Sequence, residues 1–166
     1  MSVQQADFQQ LAEKDRILFN LSDTLDMKAG VSLVVITFLA TQTAGFIGNE
    51  ALVDVLRWLQ SVSAVLLALA GASSMFVLWP REYSVEKSEE FAGWRARLES
   101  YYQGQDDAQR KVDDEYLAGR VQGLRVQIAE NRRLDDRKSW ALAWSYRLTG
   151  VSLGLNMLTL IWFGFN

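Results

Sequence analysis

The sequence predicts an all-α integral membrane protein. Three transmembrane helices are expected, with long helices extending from them into a cytoplasmic helical hairpin. Three observations carry this. Ionisable residues are absent from Ala29 to Gly48, from Trp58 to Trp79 and from Leu148 to Asn166. Each run has about the ~20 residues that cross a ~30 Å hydrocarbon core at about 1.5 Å per helical residue. The polar remainder carries apolar residues at helical spacing. The averages of the 166-residue chain, 22% charged residues and a net charge of −3, resemble those of a soluble protein only because the charge is unevenly spread. A chain this short has no interior in which to bury three uncharged helices on all sides.

Taken in order, residues 1–28 form a cytoplasmic amphipathic helix. Phe8, Leu11, Leu18, Leu21 and Leu25 make its stripe, with Asp15 in one slot. Nothing breaks the helix between Ala6 and Gly30, so it runs from water into the first span. The apolar run starts too late for an ordinary signal peptide. Residues 29–80 form a transmembrane hairpin with spans at about 29–48 and 58–79, joined by Glu50 to Arg57. Pro80 stops the second helix, because the residue before a proline disfavours the α conformation. Trp79 and Arg81 flank that exit as interface anchors.

Residues 81–140 form the cytoplasmic helical region. Phe91, Trp94, Leu98 and Tyr101 share one face. Gly104-Gln-Asp-Asp is a turn, with Asp106 or Asp107 as N-cap of the next helix. Leu117, Val121, Leu124 and Ile128 make a short heptad seam, which Asn131, Asp135 and Lys138 continue in polar form. No break separates this helix from the third span, at residues 141–166.

Basic residues set the orientation. Lys14, Arg16 and Lys28 precede the first span, and Arg132, Arg133, Arg137 and Lys138 precede the third. The connection between the first two spans holds only Arg57. This bias places the N-terminus in the cytoplasm and the C-terminus outside.

Chemistry is sparse. The chain has no cysteine and no histidine, which removes disulfides, thiolate nucleophiles and the commonest general base and metal ligand. No catalytic constellation, metal cluster or glycine-rich phosphate loop is visible, so neither an enzyme nor a resident cofactor is expected. A net charge of −3 argues against DNA or RNA as partner. The partners expected are the lipid bilayer and further copies of the chain.

The candidate residues stand where helices enter the bilayer. Asp23, Asp26 and Lys28 precede the first span, and Asp135-Asp136-Arg137-Lys138 precede the third. Lys28 alone reads as a snorkelling lysine. The carboxylates do poorly against an anionic leaflet and gain from fixed cationic partners. If the two helices are neighbours, Asp23 or Asp26 pairs with Arg137 or Lys138, and Asp136 with Lys28. The six residues Asp23, Asp26, Lys28, Asp136, Arg137 and Lys138 then form a coupling belt; plain solvation is the alternative. Within the spans, Gln42 and Asn156 are the polar elements, held by interhelical hydrogen bonds or lining water in an oligomer. Gly71 and the Gly150-x-x-x-Gly154 unit are helix-packing positions, within one chain or between chains.

The order of parts, with Leu25-Asp-Met-Lys-Ala-Gly30, Glu115-Tyr-Leu117, Gln127-Ile-Ala-Glu-Asn131 and Asp136-Arg-Lys138, resembles the Pycsar transmembrane effector family. It is also similar to the broader SLATT-type small membrane effectors. The resemblance implies a bacterial antiviral effector at the inner membrane. A partner cyclase makes a cyclic mononucleotide, cCMP or cUMP, and the effector assembles and impairs membrane integrity. No nucleotide-site residues transfer with the resemblance. Two other readings stay open: a passive anchor or scaffold that binds a partner through its cytoplasmic helices, and a constitutive small channel subunit.

Overall fold

The computed structural model describes residues 3–49, 52–84 and 88–165. Glu50 and Ala51 of the expected connection, residues 85–87 and Asn166 lie outside the described residues. Four helices occupy the described residues: α1 (Val3–Ile47), α2 (Asp54–Leu78), α3 (Ser88–Tyr102) and α4 (Ala108–Phe165). No strand occurs among them. The all-helical expectation holds. Two helices, α1 and α2, are long and apolar enough to cross a membrane.

Local chemistry explains the helix ends. α2 stops at Leu78, two residues before Pro80, and Trp79 takes an extended conformation with ψ 124°. Asp54 lies in the first turn of α2, where its charge complements the helix dipole. Between α3 and α4, Gly104 turns the chain at φ 84° and Asp107 follows at φ 58°. The Asp107 carbonyl accepts the Lys111 N–H at 3.0 Å, so Asp107 takes the N-cap place of α4.

The chain divides into two compact units, and α1 and α4 contribute to both. One unit combines Met1–Leu21 with Arg81–Asp135. Leu98, Val112 and Leu124 are buried there. Phe91, Trp94 and Tyr116 contact one another edge-on or tilted, with ring centroids 5.8–6.4 Å apart. The Arg120 guanidinium lies 4.6 Å from the Phe8 ring centroid and also faces Phe91 and Tyr116. Tyr101, expected on this face, is exposed. Tyr102 stands inward instead and donates a 2.6 Å hydrogen bond to Glu115, because four residues from Leu98 return closer to the same face than three.

Polar clamps complete this unit. The Asn131 amide donates to the Ser84 carbonyl at 3.1 Å and accepts the Ser84 N–H at 3.0 Å. It thereby pairs with the segment after Pro80 as a backbone would. Tyr83 donates to the buried Asp135 at 2.8 Å, and Gln127 donates to Asp15 at 3.1 Å.

The second unit combines Ser22–Pro80 with Asp136–Asn166. Its three helical segments meet along one seam whose buried positions recur every seven residues. In α1 they are Ser22, Ala29, Ile36 and Thr43, with Leu25, Ser32 and Leu39 between. In α2 they are Gln60, Leu67 and Ser74, with Ser63, Ala70 and Val77. In α4 they are Lys138, Ser145, Ser152 and Thr159, with Leu142 and Asn156. This is the a/d pattern of a coiled coil.

Its polarity is inverted relative to a water-soluble bundle. Two apolar layers occur, one of Leu25, Ala29, Val77, Ala141 and Leu142, the other of Ile36, Leu39, Leu67 and Ala70. The remaining buried positions along the three helical segments are polar. The exposed face is apolar: Val31, Val34, Phe38, Val65, Leu69, Met75, Val151, Leu158 and Ile161 all point outward. Water would penalise that exterior, whereas hydrocarbon accepts it and requires the polar groups to pair inside.

Candidate functional site

The seam of the second unit gathers that unit's buried polar side chains into four clusters. At the entrance, Lys138 Nζ donates to Asp26 Oδ1 at 2.8 Å and to Ser22 Oγ at 3.2 Å. One heptad further along α4, Ser145 meets Ser74 at 2.7 Å and Ser32 at 3.2 Å. Ser74 also donates to Ser32 at 3.3 Å, closing a hydroxyl triad from all three helices.

A further heptad along, Ser152 and Ser63 share a 2.5 Å hydrogen bond. Asn156 stands beside them. Its amide donates to Ser63 at 3.1 Å and to the Ser152 carbonyl at 2.9 Å, and its oxygen accepts from Thr43 at 3.1 Å. The last cluster is Gln60, which donates to Thr159 Oγ1 at 2.5 Å and to the Leu155 carbonyl at 3.3 Å. Gln60 is fully buried, and its Oε1 accepts nothing among the described residues.

Of the six residues placed in a coupling belt, the structure joins two, Asp26 and Lys138. Asp23, Lys28, Asp136 and Arg137 are exposed. No ion pair joins Asp136 to Lys28 among the described residues. The reason is angular. Successive helical residues turn by about 100°, so when Ser22, Leu25 and Asp26 face the seam, Asp23 and Lys28 turn away. When Asp135 and Lys138 face inward, the two residues between them face out.

Gln42 is likewise exposed, beside the buried Thr43. It lines a hollow of about 260 Å³ with Phe38, Phe46, Leu153 and Met157, and its amide makes no hydrogen bond among the described residues. Asn156 is buried and bonded as described. Gly71 packs toward Ile36, whose Cγ2 would lie 3.8 Å from a Cβ there. Gly150 and Gly154 face open space with nothing within 4 Å, so they pack against no helix of this chain.

Sequence reasoning singled out Asn156 but passed over Gln60, Ser63, Ser32, Ser145 and Ser152. The signal that finds Ser145 and Ser152 is a step of seven from Lys138 along α4, which continues to Thr159.

In unit one, the aromatic cluster and Arg120 pack on each other, and the arginines near them are engaged. Arg95 pairs with Asp113 and Glu99, and Arg125 lies 4.0 Å from Asp7. Among the described residues no group of acidic side chains, histidines and cysteines is arranged to hold a metal.

No curated protein and no solved structure matches the chain. A protein-family profile does match: the Pycsar effector protein domain, over residues 11–165, which takes in α2, α3 and α4 whole and α1 from residue 11 on. With apolar helices around a polar seam and this profile spanning almost its whole length, the chain belongs to the Pycsar effector domain family.

Proposed function

We propose that this chain is the membrane effector of a cyclic-nucleotide-triggered antiphage system, and that it oligomerises and impairs the inner membrane. Family membership supports the defence role. The single observation that carries the membrane part is the inverted second unit, apolar outside and polar along its seam.

In this reading residues 141–166 make a third span, uncharged from Leu148 onward. The N-terminus and residues 81–140 lie in the cytoplasm, following the basic residues. The effector acts without catalysis, since the sequence offers neither histidine nor cysteine and no nucleophile beside a base. The signal is a cyclic pyrimidine mononucleotide from a partner cyclase, relayed to the bilayer by a shift between packed helix arrangements.

Copies associate through the α1–α4 side of the second unit. Gln42 presents an amide with no partner on an otherwise apolar face, and Gly150 and Gly154 leave room for a close helix approach. An amide facing hydrocarbon is costly until another amide meets it.

The experiment is membrane-potential dye fluorescence in bacteria expressing the chain, with and without a co-expressed pyrimidine cyclase. Depolarisation only with the cyclase supports the effector. Depolarisation without it indicates an unregulated channel, and none in either case indicates an anchor or scaffold.

A further inference from the structure

We propose that the hydrogen-bonded seam of the second unit is the wall of the path by which water and small ions cross the membrane, held shut in this structure by pairing with itself. This rests on the effector reading and adds where the leak runs.

Length is the first argument. The polar clusters sit on α4 at Lys138, Ser145, Ser152 and Thr159. Those 21 residues rise about 31 Å at 1.5 Å each, which matches a ~30 Å hydrocarbon core. A hydrogen bond that only fixed helix register would need one such cluster. Here the polar groups recur at every heptad from one side of the core to the other.

Chemistry is the second argument. Helices in lipid associate through close packing of small residues, and alanine gives that close approach as well as serine does. The seam nevertheless holds Ser32, Ser63, Ser74, Ser145, Ser152 and Thr159. Gln60 adds an unused acceptor, its fully buried Oε1 lacking any donor among the described residues. That capacity is left over in the closed bundle and is satisfied when water enters.

Sidedness is the third argument. When the three helices part, the seam goes to water at little cost and to lipid at a large one. The apolar exterior has the opposite preference. Association of copies through the α1–α4 face therefore leaves each seam facing water. Beyond the Lys138–Asp26 entrance the path offers hydroxyls and amides, separated by the two apolar layers and without a ring of like charge, so it passes small cations and anions with little discrimination.

The chain contains no cysteine, so single cysteines report without background. Ser145→Cys, Ser152→Cys and Thr159→Cys mark the seam; Val151→Cys and Leu158→Cys mark the exterior. Each full-length variant is expressed in bacteria with the cyclase, and membrane potential is followed. A membrane-impermeant methanethiosulfonate cation is then added outside. It reacts with thiolates, which form in water and not in hydrocarbon, so seam positions should label about tenfold or more faster while the dye reports depolarisation. The exterior positions should stay unlabelled. Serine and cysteine are close in size, and two seam variants with full leak suffice if a third misfolds.

Depolarisation with a silent seam overturns this proposal and leaves the effector reading standing. Equal seam labelling with and without the cyclase overturns the shut state. Absence of depolarisation removes the effector reading and this proposal with it.

Discussion

Lys138 and Asp26 form an ion pair of unequal members: the lysine side chain is 3% exposed and the carboxylate 40%. The ammonium depends on the pair more than the carboxylate does. Asp26→Ala removes a countercharge from a buried cation, while Lys138→Met frees a carboxylate that already reaches solvent. Asp26→Ala should cost about 1–3 kcal/mol, less than a fully buried pair because Asp26 is part-exposed. Lys138→Met should cost less. Thermal unfolding of the detergent-purified variants measures both, and a double-mutant cycle isolates their coupling. Additive effects would show that the two side chains do not act as a pair.

Ser145 sits at the centre of the Ser32–Ser74 triad, so its two substitutions separate bonding from packing. Ser145→Ala deletes a hydroxyl and should cost about 0.5–1 kcal/mol, as interhelical hydrogen bonds in membranes do. Ser145→Leu must fit a larger side chain where three helices meet, which should cost about 1–3 kcal/mol. The ranking is read from unfolding midpoints in detergent. A neutral Ser145→Leu would show that the helices close less tightly than the 2.7 Å hydrogen bond to Ser74 implies.

Asn156 connects Thr43 of α1, Ser63 of α2 and its own helix. Asn156→Leu strands Thr43, takes one of the partners of Ser63 and should destabilise by about 1–2 kcal/mol. Asn156→Gln carries the same groups one methylene further and should recover part of this. Equal losses from both variants would assign the effect to shape and not to hydrogen bonding.

Gly119 allows α3 to approach α4. A Cβ there would fall 1.9 Å from Trp94 Cη2 and 2.3 Å from Cζ3. Gly119→Ala must displace the indole and should cost about 1–3 kcal/mol, with Trp94→Leu in the same chain restoring part of it. Near-ultraviolet circular dichroism of the tryptophans follows the displacement. An unchanged spectrum would mean that the indole has room to give.

Tyr102 supplies a pH dependence. Its hydrogen bond to Glu115 raises the phenol above its ordinary range, helped by burial and the nearby carboxylate charge. The phenol form is the one that folding favours. Its stabilisation is thus complete below the unfolded value of 10.0 and fades as pH rises through the higher folded value. Tyr102→Phe should flatten the alkaline limb of stability and leave neutral pH almost unchanged. An unaltered alkaline limb would remove the hydrogen bond as its cause.

Charge gaps and the scarcity of helix breakers made the helical fold legible in the sequence, since they mark where a helix has no reason to end. The entrance pair was legible in kind, from two acidic and basic thresholds in one chain. Which acid meets which base was not, because that depends on rotational phase about two helices. A shift of one residue, about 100°, exchanges Lys138 for Arg137. Gln60 and the serines were hidden differently. A small hydroxyl within an apolar run changes average hydropathy little, and only its seven-residue spacing marks it. Gly150 and Gly154 show the converse, since small-residue spacing recurs often and does not state which way it faces.

The seam has a thermal consequence. Folding in water draws its temperature sensitivity from apolar surface leaving water, which gives a large heat-capacity change and a curved stability profile. Parting the second unit inside a bilayer, as proposed above, would move only its two apolar layers into water, because the rest of its apolar surface faces the outside already. What changes hands is a short series of hydrogen bonds, each worth about 0.6 kcal/mol in such a setting. The balance between closed and parted helices therefore carries a small enthalpy and little curvature. Across the temperatures at which a bacterium grows, its set point drifts only gently.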